Sequence, residues 1–590
     1  MFKFKNKSLK AALLAMPLAS VVALASCGPI ADKIGKADKT DKTESSTNFG
    51  FNQPEDGKLK FGIPWKNDAR YDAMLDIAKK WNNLPTVKDQ ENKDFLPIEI
   101  EGYTGYYDGM ASQITKDISA RNAQKGLNLL FNYSGLAATL NKYDMLLNLG
   151  SNPDLKKTIE NTYVSDFLKA GNLISGVDPK GIYLIPAVKS GKTLGIDIPL
   201  LAYFVDQATK DGSATIKPED KAFFDGLKKT DQEFIAKTWG SYTKIPLNNG
   251  GLEGYQFSKS KLENYKDLFD LASRIKKSFP SSNNDDGISS KGRWLVGVND
   301  SASHWFISSF QVGNSDFKNY IVDFGPNVKS FDYRVTKKGT PAYENGKQAF
   351  DLFENLQKDD AVIYEGNAPK NDSLFEVSTI QKKHLLPFAL MSTTSYNKKY
   401  EEKESDEKMN ADELMLLPEP TKTFETETKK SITSQGPSIM AMHANAQEDK
   451  ATENFLKWFI SEQNTFEYKD KSKATQTFTG TANDYFAFRS NYLNPTKSNL
   501  TSDYKSNDKL PHNPMFELLF NTFKTVVNDN NEYSVYSEPG DATSQAFRKA
   551  VQTAFGSIGN QLKSNNNDTS KINFDTFLSE LKKSSNRIIK

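Results

Sequence analysis

Apolar and polar positions follow two rhythms along this chain, and the rhythms take turns. Leu59–Ile63 is a short apolar run ending at Pro64-Trp65, which predicts a strand and then a loop. Tyr71, Met74, Leu75, Ala78 and Trp81 then share one helical face, with Asn67 or Asp68 placed to cap it. Pro97–Ile100 predicts a second strand, Ile98 and Ile100 alternating with acidic neighbours. A second amphipathic helix follows through Tyr107, Met110, Ala111, Ile114 and Ile118. Leu127–Phe131 is a third apolar strand, running into Asn132-Tyr133-Ser134-Gly135. Such alternation predicts an α/β fold with largely parallel sheets, whose ligands sit beyond the carboxyl ends of the strands.

The theme returns later. Tyr265, Leu268, Phe269, Ala272 and Ile275 form a helical face, and Trp294–Val298 an apolar run. Ala349, Leu352, Phe353 and Leu356 predict a helix capped at Asn345. Ala451, Phe455, Trp458 and Phe459 mark another, as do Phe547, Val551, Ala554 and Ile558. Ser281–Gly292, Lys398–Asn410 and Ser490–Pro511 are polar enough to predict surface loops.

The first 27 residues have a different character. A basic stretch precedes an apolar run from Ala11 to Ala25, too short to span a bilayer. Its end, Leu24-Ala25-Ser26-Cys27, matches the bacterial lipoprotein signal, in which the cysteine takes a diacylglyceryl group. Residues 1–26 are therefore expected to be a removed signal peptide, with Cys27 the lipidated N-terminus on the outer face of the cell membrane. Cys27 is the only cysteine of the 590 residues, so no internal disulfide can form. Residues 27–57, rich in Lys, Asp, Ser, Thr and Gly, predict a flexible tether.

The leader also distorts the charge balance. Four of the 76 basic residues lie in the first ten, and without them the net charge of +2 becomes about −2. The body thus lacks the basic excess of a nucleic-acid binder. With 12% aromatic residues it can bury sizeable cores. No G-x-S-x-G, H-E-x-x-H or Walker A sequence occurs, and His304, His384, His443 and His512 lack ligand-like spacing. Asn284-Asp285-Asp286-Gly287 opens like a calcium loop but has Arg293 at the twelfth position. Neither catalysis, a metal nor a cofactor is expected.

The order of segments resembles family-1 extracellular solute-binding proteins, the sugar-type receptors of ABC importers. The resemblance rests on the strand–helix series from Leu59 and the Leu146-Leu147-Asn148-Leu149 ending. Gly181–Ala187 is similar to the segment entering the first hinge crossing, and Tyr265–Lys276 to the "t-w-e-e-l" helix. Glu413–Pro418 is similar to the strand before the return crossing, and Ser434–Met442 to the glycine-bearing crossing strand. The chain departs from the family by insertions near 205–260, 398–410 and 495–540, and by lacking a recognisable substrate-helix Trp pair. The resemblance implies a two-lobed periplasmic-binding-protein type II fold. Residues 58–190 with 434–480 would form the first lobe, and 191–433 with 481–590 the second. It also implies a monomeric, lipid-anchored receptor that captures a solute and delivers it to an ABC permease. An oligopeptide receptor and a surface adhesin or antigen keeping the fold are the alternatives.

Sugar rings present apolar faces and polar edges, so aromatic and amide-rich loops at strand ends are the candidate contacts. These are Trp65 with Asn67 and Arg70, then Tyr103, Tyr106 and Tyr107, and Asn132 with Tyr133. His304-Trp305 would supply the opposite wall, with Gln435 and Arg489 as further contacts.

Overall fold

The computed structural model describes residues 50–590 apart from 281–292, 329, 366–375, 397–399, 401–406, 471, 565–569, 571, 587 and 590. Cys27, its leader and the stretch at 284–287 that opens like a calcium loop lie outside the described residues, as do 398–399 and 401–406 of one expected loop. Two sheets organise the chain. Their strands are β1 (Leu59–Ile63), β2 (Ile98–Gly102), β3 (Leu129–Asn132), β4 (Lys192–Asp197), β5 (Val296–Val298), β6 (Val362–Tyr364), β7 (Phe388–Ser392), β8 (Leu414–Pro418) and β9 (Ser438–Ala441).

The first sheet has the order β9-β3-β1-β2, parallel except for β9. Its alternating side chains feed two cores. Leu59, Phe61, Ile63, Leu129 and Phe131 join Trp81, Phe455 and Phe486 on one face. Leu130, Met110, Ile114 and Met440 pack on the other. Helix α1 (Ala69–Asn82) follows β1, and Asp68 caps it by accepting from the Arg70 and Tyr71 amides. Helix α2 (Tyr106–Ser119) follows β2, and α3 (Ser134–Lys142) follows β3.

The second sheet has the order β8-β4-β7-β5-β6, with β4 antiparallel to both neighbours and β5 parallel to β6 and β7. Asp300 caps α4 (Ser301–Val312), which packs with α5 (Ser544–Ser564) and the Phe574–Ser584 helix. The helix at Pro341–Lys358 begins four residues ahead of the expected Asn345 cap, because Thr340 accepts from the Tyr343 amide and Pro341 occupies the first turn. Asn345 instead spends its amide on the Asn319 carbonyl, at 3.0 Å.

The two sheets join where the segments before β4 and β9 run antiparallel. The Ser190 and Gln435 amides and carbonyls exchange bonds of 2.8 and 2.9 Å, and those of Ile185 and Ile439 bonds of 2.9 and 3.0 Å. Gly436 sits at φ +113°, and a Cβ there would come within 3.0 Å of the Val188 carbonyl. Lys189 is buried at this crossing, its ammonium donating to the Gly436 carbonyl (3.0 Å) and Ser438 Oγ (2.8 Å). With no carboxylate beside it, burial pushes its pKa down to about 7.

Three expectations need correction. The Ala482–Ser490 helix, assigned to the second lobe, packs in the first, where Tyr485 and Phe486 complete the core around Trp65 and Trp81. Ser490–Pro511 is no mere surface loop: Leu493, Leu500, Tyr504 and Leu510 are buried with Phe167, Phe516 and Phe523 in a separate core. Its apolar residues are too sparse to show a period. The end of the tether is held as well. Gln53 is buried, its amide donating to the Ala444 carbonyl (2.7 Å) and its side chain to the His443 carbonyl (2.8 Å), while Arg121 stacks over Phe51.

Candidate functional site

At the carboxyl edge of the first sheet, the chain leaves β1 through Trp65 and turns at Asn67, which is left-handed at φ 62°. The Asp68 that caps α1 also pairs with Arg70, accepting from Nε at 3.0 Å. Burial opposes ionisation of Asp68, but Arg70 outweighs it and holds the carboxyl below its ordinary range. The Arg70 guanidinium lies 4.7 Å over the Trp65 ring. Trp65 is 1% exposed, enclosed by Tyr107, Phe131 and Phe486 with ring centroids 5.8–5.9 Å away. Its indole N–H has no hydrogen-bond partner among the described residues. Tyr107 meets Tyr133 edge to face at 4.6 Å and hydrogen-bonds Tyr492. Tyr133 is the open member of this wall, 41% exposed. Asn132 braces it, accepting from the Tyr133 amide (2.8 Å) and donating to the Tyr107 carbonyl (3.2 Å).

The facing edge of the second sheet is charged. Asp300, directly after β5, accepts from Ser303 Oγ (2.7 Å), Gln552 Nε2 (3.0 Å) and the Arg548 guanidinium. Arg548 also donates to Glu538, through Nε at 3.1 Å. The Lys192 ammonium stands 3.9 Å from Asp300. Burial works against the Asp300 carboxylate, yet Arg548 and then Lys192 hold its pKa well below the usual carboxylate range. Burial moves Glu538 the other way, upward, with Arg548 opposing. The charges of Arg548, Glu538 and Asp300 all reach the Tyr133 phenol, whose pKa burial raises first of all. An aromatic edge of the first sheet and a charged edge of the second thus come within electrostatic reach of each other.

Of the expected contacts, Trp65, Arg70, Tyr107, Asn132 and Tyr133 come together here. Asn67 and Tyr106 are exposed near the same edge, Tyr106 at 64%. Tyr103 packs against the opposite face of the sheet, its hydroxyl donating to Glu101 at 3.4 Å. Gln435 lies in the hinge and bonds Ser392 Oγ at 2.8 Å. Arg489 stacks 4.8 Å over Tyr468 and donates to Tyr485 at 2.8 Å, so its fork is spent inside the first lobe. The expected wall of His304 and Trp305 is corrected outright. Trp305 is wholly buried among Phe306, Phe555 and Phe577, with its N–H on the Gly346 carbonyl at 2.9 Å. His304 is equally buried, 2.8 Å from Glu419 and 2.9 Å from the Tyr265 hydroxyl. Burial lowers its pKa and so favours the neutral ring, against the opposing pull of Glu419.

The sequence reading missed Lys192, Asp300, Tyr492, Glu538 and Arg548. Asp300 had a signal, as the first carboxylate after an apolar run. Arg548 had none, since nothing near it in sequence shows what it pairs with. Among the described residues no cluster of His, Cys, Asp and Glu is arranged to hold a metal, and no helix is long and apolar enough to cross a membrane.

This architecture is the periplasmic-binding-protein type II fold, shared with solved sugar-binding receptors. The cyclic α-maltosyl-1,6-maltose binding protein of Arthrobacter globiformis superposes with a TM-score of 0.51 at 10% identity, over 90% of this chain and 98% of that one. The GacH receptor of Streptomyces glaucescens, solved unliganded and with acarbose, gives 0.50 at 11% identity, over 91% and 99%. In sequence, residues 231–418 match the profile described as Mycoplasma MG185/MG260 protein, and residues 433–560 that of a mycoplasma lipoprotein C-terminal region. A Mycoplasma pneumoniae lipoprotein is 25% identical over 59% of this chain and 49% of its own length. The chain thus spans about half of that relative. Another lipoprotein of the same organism is 21% identical over 90% of this chain and 95% of itself.

Proposed function

We propose that this protein is a lipid-anchored receptor on the outer face of the membrane. It captures a sugar-type solute between its lobes and passes it to an ABC permease. The observation that carries this reading is the pairing of walls across the cleft. Tyr133, backed by Tyr107 and Tyr492, offers a ring face, and Asp300, Glu538 and Arg548 offer fixed acceptors and donors. A sugar needs both, apolar stacking for its CH face and directed bonds for its hydroxyls. The type II fold supports the same reading, and Leu24-Ala25-Ser26-Cys27 supports the anchor. No covalent step is involved. Solute binding would be coupled to closure about the Ser190–Gln435 crossing.

Native mass spectrometry of gently purified protein tests this directly. A retained carbohydrate, lost from both Tyr133→Ala and Arg548→Met variants that remain folded, is the expected result. A retained peptide would favour the oligopeptide alternative. A folded protein that retains nothing and binds no member of a mono- and oligosaccharide panel would count against capture altogether.

A further inference from the structure

At the edge of the second sheet opposite Lys192, a histidine stands between two carboxylates. His384 is wholly buried on the turn before β7, and its backbone is left-handed at φ 54°. Its Nδ1 lies 2.7 Å from Asp197 Oδ2 at the end of β4, and its Nε2 3.4 Å from Asp231 Oδ2. Asp197 is itself buried and caps the Ile198–Thr209 helix, accepting from the Leu200 amide at 3.0 Å. Asp231 comes from the insertion near 205–260. It stands directly before the Gln232–Trp239 helix, left-handed at φ 50°, yet its side chain makes no capping bond to that helix. The other end of the same helix returns to the same residue, Trp239 Nε1 donating to the His384 carbonyl at 2.8 Å. The two ends are held differently. Trp239 is wholly buried, with Phe204 edge to face at 5.1 Å, whereas the Asp231 side chain is 41% exposed.

A ring flanked in this way favours two protons. The first serves the bond to Asp197. Without the second, an Nε2 lone pair would stand 3.4 Å from a carboxylate oxygen and be repelled; with it, the imidazolium attracts Asp231. Burial works against the charged ring, but the bond to Asp197 and the charges of Asp197 and Asp231 outweigh it and raise the His384 pKa above its ordinary value. The neighbouring polar groups are engaged elsewhere. Glu413, within reach of Asp197, accepts from Thr230 Oγ1, and Lys228 pairs with Asp412. Lys382 pairs with Glu407 at 2.7 Å, and the buried Tyr400 phenol donates to Gln381 at 2.6 Å. We propose that His384 is a proton-dependent latch on the start of the Gln232–Trp239 helix, gripping Asp231 while the ring carries two protons and releasing it when the ring carries one. The sign follows from linkage. The grip is complete below the ordinary value of 6.5 and is lost as pH rises through the raised folded value. Only the start of the helix loosens, because Trp239 stays in the second core. The latch does not depend on the solute-capture reading.

Two measurements on the whole folded protein test it. One is the imidazole titration of His384 by NMR. The other is exchange of the Ile235 amide, which donates to the Asp231 carbonyl at 2.9 Å, normalised to the unprotected rate at each pH from about 6 to about 9. The His384 midpoint should lie above 6.5 and fall in Asp231→Asn, an exposed change that removes no cap. In the wild type, Ile235 protection should drop as pH passes the midpoint, by about tenfold for each unit separating the two midpoints. In Asp231→Asn it should be low throughout, with no step. The Trp239 indole N–H should stay protected in both proteins. Equal midpoints would show that Asp231 does not grip the ring, and wild-type protection flat across the midpoint would show that the grip holds nothing down. Either result overturns the latch, and the second needs no variant to fold.

Discussion

Asp68 and Asp300 occupy corresponding places in the two lobes. Each follows the first apolar strand of its edge, caps the next helix, and pairs with an arginine. The difference is where the arginine comes from. Arg70 is two residues from Asp68, whereas Arg548 is 248 residues from Asp300. A second difference follows from the caps. Trp65 precedes Asp68 and stays in the loop, buried in the first core among Tyr107, Phe131 and Phe486. Trp305 follows Asp300 by five residues, already inside the helix, and its face turns into the second core. Similar local composition therefore buries an indole in each core, from a loop in one lobe and from inside the helix in the other, and the ring left open at the first edge is that of Tyr133.

The largest effect that tests this contrast is at Trp305. Trp305→Ala should cost about 3–5 kcal/mol in urea unfolding, through the cavity and the stranded Gly346 carbonyl, with Trp65→Ala toward the lower end of that range. A Trp305→Ala variant as stable as wild type would return that indole to the cleft. Arg548→Met comes next. It leaves two carboxylates facing each other, and since the cluster is about one-fifth exposed the cost should be about 2 kcal/mol, below that of a fully buried pair. The same measurement on Arg70→Met should show the smaller loss, its partner being a more open cap.

Acid sharpens the comparison further. Both carboxyls are depressed in the folded state, so between the folded pKa and the unfolded value of about 3.9 the unfolded chain binds more protons. Their stabilisation is present above about pH 4 and drains away as pH falls through the folded values. Asp300→Asn should therefore flatten the acid limb of a stability–pH profile more than Asp68→Asn does. Equal slopes would show that the distant arginine adds nothing over the local one. The smallest stability effect belongs to Tyr133→Ala, within about 0.5–1 kcal/mol of wild type because its ring is open. Solute retention should nevertheless fall about tenfold or more, the loss of one stacking face.

Periodicity alone located β1, the helix behind it and the helices at Tyr265, Ala451 and Phe547, because each buries one continuous face and the face is written in the spacing. It also pointed to the edge holding Trp65, Arg70, Tyr107 and Tyr133, since strand and turn are contiguous there. Composition showed that the body carries little net charge, and the Leu24–Cys27 signal is purely local. The tertiary structure decided the rest. It sent Ala482–Ser490 back to the first lobe, where Phe486 fills space beside Trp65. It buried Leu493 and Leu510 under residues from elsewhere in the chain. It brought Arg548 to Asp300, and Gly540 so close to Ser134 that a Cβ would lie 2.5 Å from its carbonyl oxygen. A hydrogen bond or a Cβ-free approach between segments hundreds of residues apart leaves no period and no motif. Only the packing of the two sheets sets which side chains meet across the cleft.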